Sequence, residues 1–453
     1  MIRTNAGVQM QQAEADNQPW PAAGKAWYAV SILVVAFIFS FIDRIIIALL
    51  VEPIKQDLGI TDVGIGLLQG IVFTIFYVAV GIPIGRWADR YSRRHIIAIG
   101  IFLWSIMTAA CGLARSFFGL FLARVGVGVG QAALSPAAYS MIADYFPKEK
   151  LGRALGVYQA GAFFGAGIAF LVGGLVIRLA MGADDLILPI LGAVHPWQIV
   201  FFVVGLPGIL VAFLMLTIEE PARRGKMAGV DGGISVKELF GFVRRHRRFF
   251  IAHFCGFSLL AIPITTILTW SPVYFGRVLG YSPPEAGLTL GLILIVLSPA
   301  GVYFGGWLSD ALQKRGHVDA PLRVGIGAAL LLLPLGFLAT TGSSSTLAVI
   351  VFCPFIFCAS LSMALAPATL QLVAPNQMRA QISATWMLVL NILTALIGPT
   401  GVGLITEYIF GDDQAVGYSL ALVNCLSVPL AALLLWSGLK PFRAAVSGQA
   451  VDG

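Results

Sequence analysis

Twelve apolar runs, each about 20 residues or longer, punctuate the chain. They cover residues 27–51, 64–84, 96–114, 117–142, 152–178, 197–217, 249–271, 285–308, 323–342, 345–372, 380–405 and 416–438. None alternates apolar and polar positions with the period of two that a barrel strand needs. A run of this length crosses a hydrocarbon core of about 30 Å as a helix, which satisfies its own backbone hydrogen bonds. The pattern therefore predicts an all-α membrane protein of twelve transmembrane helices. The one long hydrophilic stretch, 218–248, separates the sixth run from the seventh. The chain divides into a polar N-terminal tail (1–25), a six-helix bundle (26–217), a linker (218–248), a second six-helix bundle (249–438) and a C-terminal tail (439–453). The first tail reads as a polar extension and not as a signal peptide.

Composition removes the other classes. Charged residues make up 11% of the 453 positions and apolar residues 58%, where soluble domains carry roughly 25% charge. A soluble enzyme, a nucleic-acid binder and a disordered chain are excluded. The cysteines (Cys111, Cys255, Cys353, Cys358 and Cys425) lie in or beside apolar runs without metal-ligand spacing, and they read as small buried residues. The histidines do not cluster either. No metal and no cofactor are expected. Setting aside Arg44 and Arg124 inside the spans, 23 of the Lys and Arg residues in the tails, loops and span ends fall on the side of the termini and the linker and four on the other. That bias predicts cytoplasmic termini and a cytoplasmic linker, in the inner membrane of the cell. The linker's run Arg244-Arg245-His246-Arg247-Arg248 is read first as part of this topology signal, with contact to anionic lipid as the alternative.

The two halves repeat one another. The loop after the second run reads Gly85-Arg86-Trp87-Ala88-Asp89-Arg90-Tyr91-Ser92-Arg93-Arg94. The loop after the eighth reads Gly306-Trp307-Leu308-Ser309-Asp310, followed by Lys314 and Arg315. The two aspartates are 221 positions apart, and Arg153-Ala154 recurs as Arg379-Ala380 after 226. Duplicated halves of this kind place a substrate near the midplane between them and alternate access by rocking.

Residues Gly85 to Arg94 match the cytoplasmic signature of the major facilitator superfamily, with Ser92 in place of a usual glycine. Arg124 with Gly126, Gly128 and Gly130 resembles its second motif. Asp43-Arg44 in the first run, together with Gly126-Val127-Gly128-Val129-Gly130-Gln131-Ala132, resembles the Spinster branch. The resemblance spans nearly the whole chain. It implies the major facilitator fold, two pseudo-symmetric bundles, and proton-linked movement of lysolipids or sphingoid phosphates. It also implies a cytoplasmic gate of Gly85, Asp89, Arg90, Arg93, Arg94, Arg153, Asp310 and Arg379, in which Asp89 approaches Arg379 and Asp310 approaches Arg153 when that side closes. The Spinster pattern has glutamate after the span-four glycines; here Gln131 stands, which cannot ionise.

Charge at membrane depth costs at least ~2.5–3.5 kcal/mol, so Asp43, Arg44 and Arg124 need a reason. One is a self-neutralising structural ion pair. The other is a site that titrates and holds an anionic group, with Asp43 carrying the proton and the arginines anchoring phosphate or carboxylate. Gln131 falls on the helical face of Arg124 and joins the coupling site. The expected substrate-binding set is Arg44, Arg124, Gln131, Tyr77, Thr265 and Trp386. Phe73, Phe76, Tyr158 and Tyr303 are further candidates for the path, with helix packing as the ordinary alternative. The second half offers only neutral polar groups at depth, among them Ser258, Thr269, Asn391 and Thr394. A charged wall facing an apolar one suits an amphipathic anion, although such groups also join helices.

The expectation is a monomeric secondary transporter that exports an amphipathic small molecule or lipid with protons and has no nucleic-acid partner. A drug or organic-anion transporter is the alternative. A receptor is disfavoured by the short outer loops, and an enzyme by the lack of HExxH, GxSxG or P-loop patterns. Single cysteines introduced into 218–248 should react with an impermeant reagent only after the cytoplasmic side is exposed. Labelling from outside intact cells would refute the topology.

Overall fold

The computed structural model describes residues 20–88, 90–180, 186–188, 192–223, 236–342, 344–375 and 378–447. Twelve membrane-length helical spans are present among them: Ala23–Leu49, Asp62–Ala88, Arg93–Cys111, Phe117–Tyr145, Lys150–Leu179, Pro196–Met215, Arg247–Arg277, Pro283–Lys314, Ala320–Thr341, Ser345–Val373, Gln381–Phe410 and Asp413–Val446. Each expected run falls on one of them. Most helices outrun the apolar windows that announced them, because helical hydrogen bonding continues into the headgroup layer. The outward faces are apolar, with Leu179, Leu210 and Leu433 exposed, as a lipid solvent requires.

Spans one to six form one bundle and spans seven to twelve the other. Small residues let helices approach within the first bundle. A methyl group at Gly130 of span four would sit 2.8 Å from the Gly100 carbonyl of span three. The halves meet along spans five and eight, where a methyl at Gly287 would sit 2.7 Å from the Phe170 carbonyl. They meet again where span two crosses span eleven. Span eleven is irregular there, with π-helical turns at Leu396–Thr400 and Ile405–Phe410. Pro399 lies in the first turn, and its carbonyl accepts the Trp270 indole N–H at 2.9 Å. Broken backbone at membrane depth survives only with such a donor.

Two elements were not expected from the apolar pattern. An antiparallel pair, Leu186–Leu188 with Gly192–Val194, joins spans five and six, with Leu186 opposite Val194. A ten-residue helix, Val236–Arg245, ends the linker. Both are too short to register in a span-length hydropathy window.

The end of the first bundle that bears the chain terminus is fastened by Arg93. Its buried guanidinium pairs with Asp144 and with Glu220 at 2.8 Å, and it donates to Ser140 at 2.8 Å and to the Pro221 carbonyl at 3.1 Å. Glu220 also accepts from the Ser92 hydroxyl and the Arg94 amide, each at 2.9 Å. Burial alone would raise the Glu220 carboxyl, but the Arg94 amide, Arg93 and Ser92 favour its ionised form and hold it below the ordinary value of 4.5. A depressed folded-state value contributes stability that is complete above the ordinary value and is lost as pH falls through the depressed one. Glu220→Gln should therefore lower the melting temperature by a few degrees at neutral pH. That deficit should shrink as pH drops below 4.5. A deficit independent of pH would contradict the assignment.

Candidate functional site

The expected coupling and binding residues of the first half converge around a break in span one. Its α-helix runs from Ala23 to Ile45 and tightens to a 3-10 turn at Ile46–Leu49. The last carbonyls of an α-segment lack regular partners, and at this depth no water replaces them. Arg124 supplies the donors. Its guanidinium is fully buried and donates to the Asp43 carbonyl at 3.0 Å and the Arg44 carbonyl at 3.4 Å. Its position follows from the glycines of span four: a methyl at Gly128 would sit 3.0 Å from the Phe73 carbonyl of span two.

Arg44 is only partly buried. Its guanidinium carbon lies 4.5 Å from the centre of the Phe73 ring and 5.5 Å from that of Tyr77, which are cation–π distances. Arg44 donates to the Gln131 amide oxygen at 3.1 Å, and the Gln131 amide nitrogen donates to the Ser40 carbonyl at 3.0 Å. An arginine only donates and a carbonyl only accepts, so these two partners fix the orientation of the amide.

Asp43 points elsewhere. Its carboxylate is fully buried, and neither oxygen has a hydrogen-bond partner among the described residues. Thr108 and Trp104 of span three face it, with Arg124 of span four nearby, and the Thr108 hydroxyl and Trp104 indole N–H are likewise without a partner among the described residues.

The second-half residues stand apart from this cluster. Thr265 donates to the Ile262 carbonyl of its own helix at 2.8 Å and lies against Gly398. Trp386 is 8% exposed, with its ring 5.9 Å from that of His253. His253 is fully buried, and its Nε2–H donates to the Ala366 carbonyl at 2.9 Å. The histidine was passed over because it matches no ligand spacing; a lone titratable residue inside an apolar run is the signal that would have found it. Tyr158 is buried against Phe37 at 4.8 Å, while Tyr303 is 77% exposed.

At the face that carries both chain ends, the described gate residues bond within their own halves. Arg93 is held as above, and Arg94 donates to the Ile218 carbonyl at 3.0 Å. Arg153 lies 5.5 Å from the Trp27 ring. Arg379 donates to the Gln371 carbonyl at 2.8 Å and the Ala374 carbonyl at 3.1 Å. Arg90 and Asp310 are exposed, and a methyl at Gly85 would touch nothing within 4 Å. Asp89 lies outside the described residues, and so does its expected approach to Arg379. No ion pair joins the halves at this face among the described residues.

The opposite face is closed by a cluster that sequence reading did not anticipate. Asp62 is 2% exposed and receives a two-pronged contact from Arg277, at 2.6 and 2.8 Å, and Lys55 at 2.7 Å. Arg277 also donates to Glu52 at 2.6 Å, and Lys55 to Asp413 at 2.6 Å. Glu52, Lys55 and Asp62 belong to the first half, Arg277 and Asp413 to the second. Beside them the Val63 amide donates to Glu407 at 3.1 Å, and Thr400 donates to the Gly66 carbonyl at 3.2 Å. The available signal lay in the charge count. On the face depleted of basic residues only four remain, and two of them, Lys55 and Arg277, build this seam.

Two six-helix bundles that pack along shared helices and are tied at one face by a cluster of ion pairs define a membrane transporter of the two-bundle class. The Major Facilitator Superfamily model matches residues 32–438, and the chain belongs to that family. It is 29% identical over 437 residues to an MFS-type efflux pump of Mycolicibacterium smegmatis, covering 94% of this chain and 95% of the relative. It is 26% identical over 321 residues to the sphingosine-1-phosphate transporter SPNS2 of Xenopus tropicalis, covering 68% of this chain and 59% of the relative. Its fold matches the crystal structure of a bacterial homolog to the human lysosomal transporter Spinster, with a TM-score of 0.77 and 24% identity, covering 94% of this chain and 98% of that one. The chain is thus a multi-pass membrane transporter resembling the Spinster branch, and its family and fold are those of transporters, not enzymes.

Removing one partner of a buried ion pair costs roughly 3–5 kcal/mol, and here that cost falls on the closed arrangement alone. Arg277→Ala should shift the population toward opening at this face. Spin labels placed on the two halves there should report a longer distance in the variant. An unchanged distance distribution would show that the seam does not hold the face closed.

Proposed function

We propose that this protein is a proton-linked exporter of an amphipathic anion, such as a lysolipid or sphingoid phosphate, seated with both termini in the cytoplasm. The observation that carries the reading is the Asp43–Arg44–Gln131 arrangement at the break in span one. Arg44 is the less buried of the cluster's two cations, held by aromatic rings and one amide. It would receive the anionic headgroup, with Arg124 holding the backbone that presents it. The apolar second half would take the tail, with Thr265 and Trp386 on that side and Tyr77 beside Arg44.

Coupling falls to Asp43. A carboxylate buried without donors is costly and is relieved by taking a proton. Movement of span one against span three would offer or withdraw the Thr108 and Trp104 donors and so change the cost of ionisation. The cytoplasmic gate of Gly85, Asp89, Arg90, Arg93, Arg94, Arg153, Asp310 and Arg379 would assemble when that face closes.

Gln131 acts as a permanent stand-in for a protonated glutamate. A glutamate could keep both present bonds only as the neutral acid, with its O–H donating to the Ser40 carbonyl and its other oxygen accepting from Arg44. Once ionised, it would set an oxygen against the Ser40 carbonyl with no proton between them. The amide keeps the protonated geometry at every pH. This chain therefore binds substrate with one titrating carboxyl where two would share protons.

In proteoliposomes loaded with labelled lysolipid, Gln131→Glu should raise flux driven by an imposed pH gradient several-fold. Asp43→Asn should abolish the gradient dependence while substrate binding persists. A correctly folded Asp43→Asn protein with the parent's pH dependence would end the proton-carrier reading.

A further inference from the structure

The linker helix Val236–Arg245 and the first turn of span seven contain the most concentrated positive charge among the described residues. Arg244, Arg245, Arg247 and Arg248 are all exposed, and none has an ion-pair partner among the described residues. A signal that only set topology would need these charges in the loop and would need no particular fold from them. The fold they adopt is specific. Leu239, Phe242 and Val243 pack toward the core of the second bundle, with Phe242 lying 5.8 Å from Phe250. The helix is therefore laid along the end of the bundle and not projected away from it.

Its free side carries an aromatic anchor. Phe240 is 65% exposed and stands one turn before Arg244 on the same helix face. A ten-residue helix cannot cross a bilayer. A short helix with apolar residues on one side, arginines at its edge and an exposed phenylalanine fits the boundary between acyl chains and headgroups. Span twelve supplies a matching pair. Trp436 is 67% exposed, and Lys440, one turn later, is exposed too. Phe442 lies 5.6 Å from Phe249, so this helix end sits beside the base of span seven. Trp and Lys at a helix end mark the same boundary layer.

We propose that this surface binds the headgroups of anionic phospholipids in the leaflet at the face carrying the chain ends. The four arginines supply the electrostatic contact, and Phe240 fixes the depth. Charge complementarity selects the occupant: a row of unpaired guanidinium groups at headgroup level faces phosphate, and an anionic lipid adds net negative charge that a zwitterionic one lacks. The surface is independent of the substrate's identity and of the coupling residues.

The test uses the full-length protein in detergent with equal amounts of phosphatidylglycerol and phosphatidylcholine, with retained lipids counted by native mass spectrometry. The wild type should retain phosphatidylglycerol preferentially. The preference should weaken between 0.15 M and 1 M salt, as the screening length falls from about 8 Å to about 3 Å. Changing all four arginines to glutamine should weaken retention by roughly fivefold per charge removed. Changing all four to lysine should preserve most of it, which separates lost charge from lost fold. Cysteine labelling of the linker confirms that each variant keeps the wild-type orientation. A wild type without preference for phosphatidylglycerol would overturn the proposal and leave the arginines to topology or to an acidic protein partner. Equal loss in the lysine and glutamine variants, or no loss in either, would overturn it as well.

Discussion

The arrangement depends on one interaction, the grip of Arg124 on the backbone of span one. A transmembrane helix that changes from α to 3-10 geometry where it is buried inside the protein leaves carbonyls that neither water nor lipid can satisfy. The buried guanidinium donates to two of them, at Asp43 and Arg44. Beside it, Asp43 faces Thr108 and Trp104 of span three, and Arg44 lies against Phe73, Tyr77 and Gln131. The charge of Arg124 is tolerable because it is spent on main-chain dipoles and not left in hydrocarbon. The glycines of span four admit the helix closely enough for the reach.

The two faces of the protein use charge in different ways. At the face of the chain termini, Arg93, Asp144 and Glu220 lock elements of one half to each other, which stiffens the bundle as a body. At the opposite face, Arg277 and Asp62 join one half to the other, which sets the relation between bodies. Rigid halves with a breakable seam are what a rocking motion needs. The Arg277–Asp62 pair joins the halves only while that face is closed, so its loss must be offset by contacts formed at the other end.

The spans were legible because a bilayer demands long apolar runs, and the charged residues at depth were legible because they are costly there. Glutamine at position 131 stood out against the pattern of the Spinster branch that the chain resembles. The direction of Asp43 was not legible. Adjacent residues of one helix diverge by roughly 100 degrees, so spacing along span one does not say which neighbouring helix Asp43 and Arg44 each meet. The seam was hidden for another reason: Asp62 and Arg277 are 215 positions apart and sit at helix ends, where charge is ordinary. The linker helix escaped because its apolar positions are few and become meaningful only against the bundle. Trp386 lies with His253 inside the second half, a contact that span-by-span reading cannot supply.

The central claim of the proposed function is that Asp43, buried without a bonded donor among the described residues, holds a transported proton. Infrared difference spectroscopy of the carboxylic-acid C=O stretch tests it at the level of the group itself. At neutral pH the wild type should show a band from a buried neutral carboxylic acid that vanishes in Asp43→Asn and changes on addition of substrate. A spectrum without any such Asp43-dependent band, before or after substrate, would mean that the carboxyl stays ionised and carries no proton.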